Sequence, residues 1–159
     1  MSNNGADEYH WRETYYILFE SSQRPTLTQV ERSLGELSNR IKLENLNADD
    51  EGRFESLMLQ SPDDYAALEV SYESGEAVVE MAVDMAKQLK SEAEPEQLAQ
   101  LLKSDARLDV MHFEQIVSGP EEDDAEEMLD PSCLLMVVDA LVELTGGIAI
   151  DPASGAILP

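Results

Sequence analysis

Residues 134–144 read Leu-Leu-Met-Val-Val-Asp-Ala-Leu-Val-Glu-Leu, apolar at nine of eleven positions, with only Asp139 and Glu143 interrupting. Those two acids stand four residues apart, so a helix places them in one narrow polar stripe. A helix apolar nearly all round is normally buried among other elements. The stretch is too short for a bilayer, which needs about 20 apolar residues. It therefore predicts the central core helix of a soluble domain, and the rest of the chain must supply its cover.

At 159 residues the chain suits one compact domain, which would bury roughly 68–70% of its unfolded surface. Hydrophobic residues make up 43%, enough for a packed core in spite of a net charge of −24. The charge is lopsided: after Arg107 there is no Lys or Arg, while twelve acids follow. Such a field repels phosphate backbones and anionic membranes, which argues against nucleic-acid and membrane partners. It favours basic proteins and cations, and it also keeps a domain in solution. A single cysteine, Cys133, excludes an intrachain disulfide. Residues 1–10 are polar and acidic, with no basic region leading into an apolar stretch, so cytoplasmic residence is expected.

Taken in order, residues 1–10 read as a disordered tail and residues 11–159 as one domain. Tyr15, Tyr16, Ile17, Leu18 and Phe19 form an interior strand, apolar on both faces. Leu27, Val30, Leu34, Leu37 and Ile41 recur at helical spacing behind Thr26, a suitable N-cap. Residues 45–52 are polar and read as a loop. Residues 54–60 and 67–72 form a hairpin around Pro62-Asp63. In its second arm Leu68, Val70 and Tyr72 alternate with Glu69, Ser71 and Glu73, which gives one wet face and a sheet covered by helices on one side. A helix over 76–90 buries Val78, Met81, Ala82, Met85 and Leu89, and Pro95 opens another helix running to Lys103.

A strand over 108–116 comes next, then an acidic loop over 119–129. Asp130-Pro131 starts the apolar helix as N-cap and first residue, and Gly146-Gly147 ends it. Residues 148–150 and 156–158 close the chain as a short hairpin around Asp151-Pro152. The fold class is therefore α+β in a single domain. Its element order resembles a ferredoxin-like βαββαβ core with an inserted helix, then a C-terminal helix plus short hairpin. That resemblance implies a fold and no activity.

Catalytic motifs are absent from the sequence: no Gly-rich phosphate loop, Gly-x-Ser-x-Gly elbow or His-Glu-x-x-His pair occurs, and no cofactor or metal is implied. His112 and Glu114 share one face of a strand, so the carboxylate would raise the imidazole's basicity. More often such a histidine faces water or a satisfied neighbour. Cys133 lies near a helix start, which favours a thiolate, but the upstream acids and apolar neighbours make it an inert small hydrophobe. Glu121, Glu122, Asp123, Asp124, Glu126 and Glu127 offer oxygen ligands but lack the spacing of a calcium loop. Met81 and Met85 suit either an adaptable groove or plain core.

The sequence thus favours a non-enzymatic binding or adaptor domain that meets a basic protein through an acidic surface, with the six carboxylates of 121–127 as first contact residues. Self-association through the face bearing Glu69, Ser71 and Glu73 is a further expectation. The alternative is a small-molecule sensor or small enzyme with a pocket between sheet and helices, where His112, Glu114 and Asp139 would act.

Overall fold

A computed structural model describes residues 9–37, 41–61, 66–115 and 132–158. They build one antiparallel sheet of seven strands with four α-helices, an α+β architecture. Strand β1 (Tyr9–Phe19) leads through a short turn of 3-10 helix to α1 (Leu27–Gly35). Then come β2 (Lys42–Ala48), β3 (Phe54–Ser61) and β4 (Ala66–Ser74). Helices α2 (Glu76–Gln88) and α3 (Pro95–Lys103) precede β5 (Ala106–Gln115), and α4 (Ser132–Thr145) precedes β6 (Ile148–Asp151) and β7 (Ala156–Ile157).

The sheet order is β2-β3-β4-β5-β1-β6-β7. This departs from the ferredoxin-like arrangement. There, the helical crossover from the first strand is split by a single strand; here β1–α1–β2 spans the sheet and β3, β4 and β5 all lie between its ends. Strand β5 lies between β4 and β1, where a ferredoxin-like order would place it outside β1, and the sheet gains an unexpected edge strand, β2, whose residues largely overlap the segment expected to be a loop. Its sequence Lys-Leu-Glu-Asn-Leu-Asn-Ala is polar because it forms an exposed edge, and pairing with β3 overrides its weak β-propensity. Asn45 sits at φ 53° where the β2–β3 register shifts, an irregularity that suits a blunted edge.

Side chains alternate across each strand, so the register separates two cores. On one face Ile17 and Phe19 of β1, Leu108 and Val110 of β5, Val70 of β4 and Leu57 and Leu59 of β3 pack under α1 and α4. On the other, Leu18, Ile148 and Ile150 pack under Val78, Ala82, Ala86 and Leu89 of α2 and Leu101 of α3. Helices therefore lie on both faces, contrary to the one-sided cover expected from β4. That second pair buries its apolar residues on β1 and β6, with Met81 of α2 reaching Arg107 of β5, and on the same face Glu69 and Ser71 are half-buried and Glu73 is exposed.

Local signals explain the helix ends. Thr26 and Gln29 form a reciprocal capping box at α1, whose last turn closes at Leu37 rather than continuing to Ile41. Gly146 holds φ 69° at the end of α4 and donates its N–H to Val142 O. Asp130 and Pro131, expected to open that helix, lie outside the described residues. Strand β1 starts at Tyr9, so His10 pairs with Glu114 in the ladder although it was assigned to the tail. Among the described residues no helix is long and apolar enough to cross a membrane.

Candidate functional site

His112 and Glu114 lie on the same face of β5, as their spacing requires, and both are buried, at 5% and 7% exposure. They do not form a pair with each other. A register shift between Trp11 and Glu13 puts Glu13 opposite His112, and Glu13 Oε2 lies 2.9 Å from His112 Nδ1. Arg12, the extra residue at the shift, donates from Nη1 to Glu114 Oε1 at 2.5 Å. Both carboxylates thus already have partners across the β1–β5 ladder. The sequence pattern within β5 contained no sign of those partners, because they come from a strand about a hundred residues earlier.

Asp139 is far removed in role. It is exposed on α4, and the clefts that it lines contain neither His112 nor Glu114. The three residues proposed for a shared pocket are therefore not gathered by any cleft that Asp139 lines. The six carboxylates of 121–127 lie outside the described residues. Cys133, in the first turn of α4, is buried in the core formed by Leu134, Val137 and the sheet residues. Met81 accepts a contact from Arg107 Nη1 at 3.1 Å, and Met85 packs against the α2–α3 core, so both serve packing. Among the described residues no group of three or more His, Cys, Asp or Glu side chains is placed to hold a metal ion.

The geometry instead draws attention to α4. Leu134, Val137, Val138 and Leu141 reach the core, but Leu135 and Met136 are 44% and 40% exposed. The helix is not enclosed on every side as its composition predicted; it lies on one sheet face beside α1. Between the two helices runs a cleft of about 410 Å³. Its α1 wall is Ser33, Glu36 and Leu37, and its α4 wall is Met136, Asp139, Ala140 and Glu143. The α4 wall follows i, i+3, i+4, i+7 spacing, so it is one continuous stripe about 10 Å long.

Among the described residues, three carboxylates and no cation thus line the cleft beside Leu37, Met136 and Ala140. No Lys or Arg among the described residues forms an ion pair with Glu36, Asp139 or Glu143. Arg32 of α1 is exposed one turn before Glu36 and forms no ion pair among the described residues, while Arg24 and Arg107 are engaged elsewhere. Arg24 bonds Phe54 O and Asp49 while lying 3.9 Å over the Tyr72 ring, and Arg107 bonds Asp109 while lying 4.6 Å over Tyr16. Asp139 and Glu143 were visible in the sequence as the polar stripe of the apolar helix. Their joining with Glu36 was not, since it depends on α1 and α4 lying side by side. No protein-family model, curated protein or solved structure matches the chain.

Proposed function

We propose that the chain is a non-enzymatic binding domain that engages a basic protein partner through an acidic surface. The observation that carries the reading is the α1–α4 cleft, where Glu36, Asp139 and Glu143 flank Leu37, Met136 and Ala140 with no described cation among them. Carboxylates without an ion pair among the described residues, beside partly exposed apolar groups, offer a basic partner both steering and contact area. The net charge of −24 extends the attraction beyond the cleft and disfavours nucleic acid. Residues 121–127 precede α4 in the chain and add six carboxylates to the same reading. Self-association through the sheet face bearing Glu69, Ser71 and Glu73 is a weaker proposal, because two copies each carrying −24 repel.

The test is affinity capture by the intact chain and by a Glu36→Gln, Asp139→Asn, Glu143→Gln variant, at low and at high salt, with mass spectrometry of the bound proteins. The expected result is a basic protein held at low salt, lost as the Debye length falls toward about 3 Å near 1 M, and held less by the variant. Partners without basic character, or retention indifferent to salt, would sink the proposal.

A further inference from the structure

We infer that the α1–α4 cleft receives a single α-helix of its partner. That helix carries an apolar stripe for Met136, Ala140 and Leu37 and has Lys or Arg on both flanks of the stripe; the inference rests on the basic-partner reading above. Residues 134–144 have the composition of a helix buried on every side, yet Met136, which lines the cleft, is 40% exposed, and Leu135, outside the cleft lining, is 44% exposed. Among the described residues nothing lies over that outer face. A helix that is more apolar than its visible cover requires is accounted for by an occupant.

Charge selects the occupant. Asp139 and Glu143 stand one turn apart on α4, and Glu36 faces them from the end of α1. The chain's own acidic run, residues 121–127, would meet like charge there, and so would a second copy of this chain. A cationic segment is the complementary partner. Its conformation follows from backbone hydrogen bonding. The α4 wall is the flank of a helix bonded within itself and the α1 wall is that helix's last turn, so neither presents a strand edge with which an extended segment could pair. An extended segment laid there would leave its own N–H and C=O groups without partners, whereas a helix satisfies them internally. A third helix in the valley between two others also follows the way helical ridges and grooves pack.

The experiment uses the intact chain and two labelled synthetic peptides of about four helical turns. One carries Leu along one face with Lys on both flanks; the other has the same composition permuted so that neither residue type forms a face. Anisotropy reads affinity, and far-ultraviolet circular dichroism reads helix gained on mixing. The amphipathic peptide is expected to bind and become helical. Asp139→Asn combined with Glu143→Gln should weaken it about tenfold, and Met136→Ser about fivefold. Circular dichroism of each variant alone verifies its fold.

Equal binding of the permuted peptide, or indifference to all three substitutions, overturns the inference and leaves the basic-partner reading standing. Binding without helix gain overturns it as well. Failure of both peptides, together with a capture experiment that yields no salt-sensitive basic protein, removes the basic-partner reading itself.

Discussion

Replacing Gly147 by alanine places a methyl group where the sheet has no room for one. Gly147 joins α4 to β6, and a Cβ built there would lie 2.6 Å from Leu18 O and 3.0 Å from both Ile17 Cγ2 and Phe19 Cβ. Ordinary contact begins near 3.4 Å, and the nearest obstacle is backbone of β1, which has no rotamer with which to retreat. Strands β1 and β6 must therefore separate locally, where only three residue pairs, Leu18 with Ile148, Ile17 with Ala149 and Tyr16 with Ile150, hold them. Forcing extra volume into a packed interior typically costs 1–3 kcal/mol, and the backbone obstacle places this case at about 2–3 kcal/mol. For a domain of this size that is a fall of roughly 8 °C in Tm, or about 1 M in the urea midpoint.

The neighbouring glycine is the control. Gly146 has φ 69° and nothing within 4 Å of a built Cβ, so alanine there meets backbone strain alone, a cost of about 1 kcal/mol. Urea unfolding followed by circular dichroism should rank wild type above Gly146→Ala above Gly147→Ala. Gly147→Ala unfolding within about 0.5 kcal/mol of wild type, or the reverse order of the two variants, would refute the argument from close approach.

Two further stability outcomes follow from the described residues. Asp49 Oδ1 accepts the N–H groups of Glu51 and Arg53, and with Arg53 as ion partner these bonds hold its carboxyl below the ordinary value of 3.8. A lowered folded-state pKa stabilises above the unfolded value, and that contribution disappears as pH falls through the folded value. Wild type should thus exceed Asp49→Asn in stability at neutral pH, with the gap closing below pH 3.8 in acid unfolding; a gap constant with pH would contradict this. Leu141 is fully buried between α4 and the sheet, so Leu141→Ala should cost about 3 kcal/mol by transfer and cavity terms. Calorimetry would expose the error if the variant melted with wild type.

Much of the secondary structure was legible because it rests on local periodicity. The α1 cap at Thr26, the buried Leu68 and Val70 of β4, the start of a helix at Glu76 and the terminal hairpin all follow from spacing and turn chemistry within a few residues. Strand β2 was not legible, because an edge strand facing water on most of its positions has no apolar alternation to display. That omission hid the far end of the crossover from β1, and the place of β5 between β4 and β1 was equally invisible, since it rests on pairing between distant segments. The first six residues of β1 were missed for a related reason: Trp11 is exposed, and the ladder with β5, rather than local apolarity, orders them.

For the site, the sequence by itself determined the chemistry available: a −24 surface, an apolar helix striped by Asp139 and Glu143, and His112 with Glu114 on one strand face. Composition and period are properties of neighbours along the chain, so they survive any fold that keeps the element intact. Tertiary structure decided which of those groups meet. It paired His112 with Glu13 and Glu114 with Arg12 across a register shift. It left Leu135 and Met136 of α4 partly exposed and brought Glu36 to Asp139 and Glu143. Those contacts join residues about a hundred positions apart, and their closeness comes from strand order and helix packing, which no short window of sequence encodes.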